Sequence, residues 1–419
     1  MSYKNSTSGT YLDNMKLPVH RWFKYSAGFS AKWVEDEVRK FEAKYDKKAV
    51  ILDPFVGSGT TTLTCCTLDN KAYGYDGHPL VARVAKAKHL WHLDRFEFKK
   101  KSLDLYNLSK EIDVDPSRYY EVNLLEKCYD IENFKDLEAL RLAYIALADE
   151  NPIYELIWLN ITSILRPCSN VGTAQWQYIL PNKTKAKVLS VEQAFLGKVE
   201  LMFGDMEYAE ANKWQPSAVV NEHDAREPFS LSSPANFVIT SPPYANNYDY
   251  ADATRLEMTY WGDINSWGDL KTAVRPTIMR SCSQHSAGDK VDANLLLDSE
   301  ELFSVRDILR PVVEELAEVR LTKGGKKAYH TMAAAYFYDL ALIIKNLKAN
   351  LEKDSEMCWV IGDSAPYGVY IPVDTIISEL AINAGFESTS FEKIRDRNIK
   401  WKNRTHTVLL KEGRLRIKG

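Results

Sequence analysis

Asn236-Phe237-Val238-Ile239-Thr240-Ser241-Pro242-Pro243-Tyr244 is the stretch from which the rest of the chain can be read. Asn236 to Ile239 is a short apolar run of the kind that buried strands carry. Proline supplies no ladder donor and fixes φ, so the pair Pro242-Pro243 ends strand pairing and turns the chain out of the sheet at Ser241. The strand end then presents a hydroxyl, rigid backbone carbonyls and an aromatic ring. In open α/β sheets, ligands bind outside the carboxyl ends of the strands. The set suits a planar group that bears an amine. Ser241 and the Pro242 carbonyl accept its hydrogens, and Tyr244 stacks on its face. Taken alone, the stretch fits a proline-terminated strand with a packed tyrosine equally well.

Three more strand ends share its character. Ala49 to Leu52 runs into Asp53-Pro54-Phe55-Val56-Gly57-Ser58-Gly59-Thr60-Thr61 and then a helix. The two glycines let backbone approach a ligand. No lysine follows the second glycine, so this is no P-loop, and Thr62 stands where a dinucleotide fingerprint has its third glycine. Ala72 to Asp76 is a second strand with an acid at its end, at the spacing from which a carboxylate reaches both hydroxyls of a bound ribose. Ala218 to Val220 leads to Asp224. A glycine turn, a ribose acid and a further acid make a nucleoside site, with the Ser241 amine acceptor beside it. Methyl transfer to an exocyclic amine needs that arrangement, because most of its catalysis is positioning and electrostatics.

The chain has 419 residues, enough for one large domain with insertions or for two domains. A net charge of −3 means that any nucleic-acid surface is local. The six cysteines are scattered with no C-x-x-C pair, which argues against a zinc site or disulfide framework and fits a reducing compartment. No metal site is expected. The first residues lack an apolar signal region, and no apolar run approaches the roughly 20 residues a membrane helix requires. The expectation is a cytoplasmic protein with no membrane partner.

Residues up to about Leu17 read as a polar arm, and Ser30 as the N-cap of a helix whose Trp33, Val34, Val38 and Phe41 form its buried face. From about Leu103 to Asn212 the period is helical, which predicts a subdomain inserted between strands. Inside it, Gln175 to Lys183 reads as a polar and aromatic loop, and Pro167-Cys168 as a structural pair. Ser281 to Asp292 reads as a polar, mobile stretch. Lys393 to Lys418 carries ten basic and two acidic residues, and Lys323, Lys326 and Lys327 form a smaller basic group. The expected fold is α/β, a doubly wound Rossmann-like sheet with a helical insertion. Its parts are residues 1–100 (arm and first half of the sheet domain), 101–215 (helical insertion) and 216–419 (second half with the basic segment).

Asp53-Pro54-Phe55-x-Gly57-Ser58-Gly59-Thr60 together with Thr240-Ser241-Pro242-Pro243-Tyr244 resembles the S-adenosylmethionine-dependent DNA amino-methyltransferases of restriction–modification systems. The resemblance covers roughly residues 18–90 and 217–410. The serine form of the second motif is similar to the N4-cytosine branch, whereas the N6-adenine branch usually has Asp or Asn in place of Ser241. The resemblance implies that Asp53, Gly57 and Gly59 line the methionine part of S-adenosyl-L-methionine, Asp76 the ribose, and Asp224 with Phe55 the adenine. It further implies that Phe29 and Ser30 belong to an N-terminal cofactor segment, and that Ser241, Pro242, Pro243 and Tyr244 are catalytic. The expected partner is double-stranded DNA with a flipped target base, held at its phosphates by residues such as Lys400, Lys402 and Arg404. A cognate restriction endonuclease acting on the same site is the expected second partner. The alternatives are an N6-adenine DNA methyltransferase, an RNA guanine N2-methyltransferase, or a catalytically silent nucleic-acid-binding protein.

Overall fold

A computed structural model describes residues 11–173, 178–246, 248–288, 291–324, 327–397 and 408–419. Nine strands are described, β1 (Ile51–Asp53), β2 (Ala72–Asp76), β3 (Val171–Thr173), β4 (Ile179–Thr184), β5 (Ala218–Glu222), β6 (Ala235–Thr240), β7 (Leu351–Gly362), β8 (Ser388–Arg397) and β9 (Leu410–Lys418). Seven of them form one sheet in the order β5-β2-β1-β6-β7-β9-β8. The first five run parallel, with Ile51 opposite both Ala72 and Phe237. β9 lies antiparallel to β7, and β8 antiparallel to β9. The architecture is thus α/β with a mostly parallel central sheet.

All six residues of β6 are buried, as are all three of β1. Strands covered on both faces carry unbroken apolar runs rather than alternation. One face, through Leu52, Val238 and Trp359, packs on the helices Arg306–Thr322, Tyr329–Ala349 and Val373–Asn383. The other face, through Ile51, Phe237, Ile239 and Cys358, packs on α1 (Ala31–Tyr45) and on Cys65 of α2 (Thr60–Thr67). Phe41 of α1 stacks on Phe237 with ring centroids 4.5 Å apart. α3 (Pro79–Lys88) follows β2.

Most of the chain between α3 and β5 is helical, including Arg95–Glu111, Ile131–Leu147, Ile153–Ile164 and Val191–Ala211. Its buried faces join one apolar cluster with Leu63, Leu80 and Val84 of α2 and α3. Three local readings change. Part of the stretch read as a loop, from Ile179, is β4, paired with β3, while residues 174–177 lie outside the described residues. In the stretch read as polar and mobile from Ser281 to Asp292, Ser281, Ser283, His285 and Ser286 are buried, in a segment that packs against helix Tyr329–Ala349, while residues 289–290 lie outside the described residues. The arm is structured from Tyr11, where a 3₁₀ turn buries Asn14. Ser30 does occupy the N-cap position of α1, but its hydroxyl caps nothing. Asn14 Oδ1 satisfies a different free N–H of the first turn, accepting from Ala31 N–H at 2.9 Å. Among the described residues, no helix is long and apolar enough to cross a membrane.

Candidate active site

The turn after β1 is organised by one carboxylate. Asp53, 1% exposed, accepts from Phe55 N–H (3.0 Å) and from the hydroxyls of Thr61 and Thr240 (2.6 Å each). It therefore ties the end of β1 to the start of α2 and to the end of β6. Burial pushes its carboxyl up to about 6, against the pull of those three donors. Val56 N–H donates to Tyr75 O at 2.8 Å, and Gly59 N–H to Val56 O at 2.9 Å, which closes the turn. Gly57 has φ +55, in the left-handed region, and a Cβ there would lie 3.2 Å from the Tyr25 ring.

Asp76 stands at the end of β2. Its Oδ2 accepts from Gly57 N–H and its Oδ1 from His78 N–H, both at 2.9 Å. Burial raises this carboxyl to about 6 in spite of those bonds, with Asp53 contributing to the rise. A carboxylate accepts about four hydrogen bonds, so Asp76 retains capacity for a ligand. At the next strand end, Asp224 is held by Arg226, whose Nη2 lies 2.6 Å and Nε 3.0 Å from it.

At the end of β6, Ser241 Oγ donates to Val360 O at 3.1 Å. With its hydrogen committed there, Oγ is left as an acceptor, and the Tyr244 hydroxyl also interacts with it. Tyr336 Oη donates to Pro243 O at 2.9 Å and holds the second proline from the helix behind. The Tyr244 ring is packed against the Arg397 guanidinium, 5.0 Å from its centroid.

These strand ends meet around one cleft, partly open to solvent. Phe29, Phe55, Gly57, Asp76, Asp224, Ser241 and Pro243 line it. Asp53, Gly59, Ser30, Pro242 and Tyr244 lie outside the lining; Asp53 supports the glycine turn from beneath. Lining residues that sequence reasoning missed include Tyr25, Ser58, Gly77, His78, Tyr250 and the segment Thr277 to Met279. Gly77 and His78 adjoin Asp76, so their proximity was available from the sequence. Tyr250 and Thr277 arrive through loop packing, which leaves no local signal. Lys400, Lys402 and Arg404 lie outside the described residues. Cys168 is fully buried outside the cleft lining, and burial pushes its thiol up to about 12, the state of an inert structural cysteine.

The location follows from topology. β1 is flanked by β2 on one side and β6 on the other, so the strand order reverses there, and the cleft opens at that switch point. The donor set also fits a nucleoside bearing an amino-acid tail, with aromatic rings at Phe29 and Phe55, a diol acceptor at Asp76 and a close backbone approach at Gly57.

No protein-family model matches the chain, and no solved structure does. Its sequence is similar to the Type II methyltransferase M.BsoBI of Geobacillus stearothermophilus, 25% identical over 93% of this chain and 82% of that protein. It is likewise similar to the Type II methyltransferase M.AvaI of Nostoc sp., at 24% over 89% of this chain and 80% of that one. The Type II methyltransferase M.MvaI of Kocuria varians is 22% identical over 91% of this chain and 85% of its own length. With two motifs meeting in one cleft and a likeness that runs along about nine-tenths of its length, the chain is a homologue of the Type II methyltransferases.

Proposed function

We propose that this protein transfers a methyl group from S-adenosyl-L-methionine to the exocyclic N4 amine of cytosine in duplex DNA, as the modification arm of a restriction–modification system. The observation that carries the reading is the position of Ser241. Its hydroxyl stands at the end of β6 in the same cleft as the glycine turn and Asp76, already oriented as an acceptor by Val360 O. The relatives named Type II methyltransferases support the reaction class and the methyl donor. The choice of cytosine over adenine rests on the serine.

Phe29, Phe55, Gly57, Asp76 and Asp224 would hold the donor, whose sulfonium supplies an activated methyl group when bound. Asp76 accepts hydroxyls of the ribose, and Asp224 lies toward the adenine. Asp53, Gly59 and Ser30 act through the backbone: Asp53 fixes the turn, and Gly59 and Ser30 begin α2 and α1. On the target side, the lone pair of an aromatic amine is delocalised into its ring. Ser241 Oγ and the Pro242 carbonyl accept the two amine hydrogens and draw them out of plane, which localises the lone pair on nitrogen. Pro243, held by Tyr336, keeps both acceptors rigid. Tyr244 stacks on the flipped base, with Arg397 fixing the far side of its ring. Residues 101–215 form a helical insertion in a Rossmann-like domain made of residues 1–100 and 216–419, and its surface is a candidate for DNA contact. The protein then shares its target site with a cognate endonuclease.

The test is the product. DNA from a host expressing the protein, digested to nucleosides, is expected to contain N4-methylcytosine. Ser241→Ala is expected to cut the single-turnover rate far more than it weakens DNA or donor binding, as for an interaction made mainly in the transition state. N6-methyladenine in the digest would overturn the base while leaving the donor site standing. A wild-type rate in Ser241→Ala would overturn the amine-acceptor role.

A further inference from the structure

Lys88, the last residue of α3, is 2% exposed. Its ammonium donates to His20 O at 3.1 Å, and no described carboxylate pairs with it. The titratable groups that face it are His20 from the N-terminal segment, its neighbour His89, and Lys198 from helix Val191–Ala211. None of them is an acid. Burial and the charge of Lys198 hold the ammonium down to about 7. Buried cations are ordinarily paired, because an uncompensated charge in a low-dielectric interior costs several kcal/mol. Lys88 therefore has a charge and a place, but no counter-ion of its own.

Its surroundings indicate where that counter-ion comes from. Lys88, His20, Asn14, Tyr25, Ser58 and Thr60 line a small cavity with room for about one water-sized group. Tyr25, Ser58 and Thr60 also line the main cleft, so the cavity lies directly behind the start of α2. Among its described lining residues, the main cleft has two carboxylates, Asp76 and Asp224, but neither lysine nor arginine. The methyl donor proposed above ends in an amino acid, whose carboxylate would lie near the start of α2 and would gain a charge-assisted partner from an ammonium behind it.

We propose that the ammonium of Lys88 is the counter-ion for the α-carboxylate of the methyl donor, reached past Ser58 and Thr60 through this cavity. The inference rests on the cofactor reading above. Pairing stabilises the charged ammonium, so its pKa rises on binding. At pH 8 the free chain holds Lys88 mostly neutral, and binding draws in a proton. The affinity then declines as pH rises further, because protonation of Lys88 becomes harder to maintain. In the ligand-free chain, by contrast, the buried ammonium is a liability, and an apolar residue of similar length relieves it.

Calorimetry on the full chain tests this with two probes. S-adenosylhomocysteine carries the amino-acid tail, and 5′-methylthioadenosine lacks it. Lys88→Met is expected to weaken S-adenosylhomocysteine roughly 10- to 100-fold, the scale of one charge-assisted hydrogen bond. It is expected to leave 5′-methylthioadenosine within about twofold and the ligand-free melting temperature no lower. Measured in buffers of different ionisation enthalpy at pH 8, the wild-type chain takes up a proton with S-adenosylhomocysteine, and Lys88→Met takes up none. Equal loss for both probes, no loss for either, or no proton uptake by the wild-type chain overturns the proposal; the last measurement needs no variant. A wild-type chain that binds neither probe overturns the cofactor reading itself. Binding of both probes with an indifferent Lys88→Met overturns only the role of Lys88.

Discussion

Asp76 offers the sharpest single perturbation. Two of its acceptor positions are occupied by Gly57 and His78 N–H, each at 2.9 Å, and about two remain for ligand hydroxyls. Hydrogen bonds to a charged group contribute about 1.5–3 kcal/mol, so loss of the ligand's share in Asp76→Ala is expected to raise the Kd for the donor about 10- to 150-fold. Asp76→Ala also releases the glycine turn, whereas Asp76→Asn keeps an acceptor for one of the two N–H groups. The asparagine variant should therefore melt closer to wild type while binding almost as poorly. The pH dependence has a defined sign. Burial raises the carboxyl to about 6, above its usual value of 3.8. Bound hydroxyls favour the ionised form, so wild-type affinity falls as pH drops through 6, and the Asp76→Ala profile is flatter there. For the ligand-free fold the sign is reversed. A raised carboxyl pKa contributes stability that is full below pH 4 and lost as pH rises through 6. Asp53 titrates in the same range and is coupled to Asp76, so the comparison reads the loss of Asp76 together with its effect on Asp53. Isothermal calorimetry from pH 5 to 8, with a thermal melt of each protein, reads all of this. A cooperatively folded Asp76→Ala protein with wild-type affinity would refute the assignment.

Two other measurements probe the site from outside. A Cβ on Gly77 would lie 1.8 Å from Thr277 O, a backbone atom that cannot step aside. Gly77→Ala should therefore displace the Thr277 to Met279 wall, with a loss of about 1–3 kcal/mol of stability and weakened donor binding; a wild-type melting temperature would contradict the packing of that wall. Replacing Lys400, Lys402 and Arg404 together by Ala should reduce the slope of log K for DNA against log salt by about 0.9 for each phosphate that is no longer neutralised. An unchanged slope would place the DNA on another surface.

Much of this molecule is local in origin. The strands at Ala72–Asp76 and Ala235–Thr240 lie where apolar runs, prolines and strand-end acids predict them. Those signals are short-range, since they depend on φ at proline, on missing ladder donors and on period. The same short-range chemistry marked Asp76, Gly57 and Ser241 before any fold was known, and the family resemblance added Phe55. A parallel sheet brings its carboxyl ends to one edge, so residues read from separate strand ends had to converge. Other readings failed because a distant partner decided them. Ser30 takes the N-cap position of α1 as read, but its hydroxyl caps no N–H, and Asn14 Oδ1, brought in by folding, accepts from the first helical N–H, Ala31. Ser281 to Ser286 is polar in composition and buried by the helix above it.

The sequence by itself determined which residues end the strands, where the chain must turn, and which of those ends carry an acid or a hydroxyl. Conformational limits on proline and glycine and the period of apolar residues act within a few residues, and they survive in a linear reading. Only the tertiary structure decided that Asp53 lies beneath the cleft rather than in its lining, that Arg226 holds Asp224, that Tyr250 and not Tyr244 lines the wall, and that Lys88 is buried behind Ser58 and Thr60 without an acid of its own. Desolvation and charge pairing depend on what folding places within a few ångströms, and sequence separation does not encode that distance.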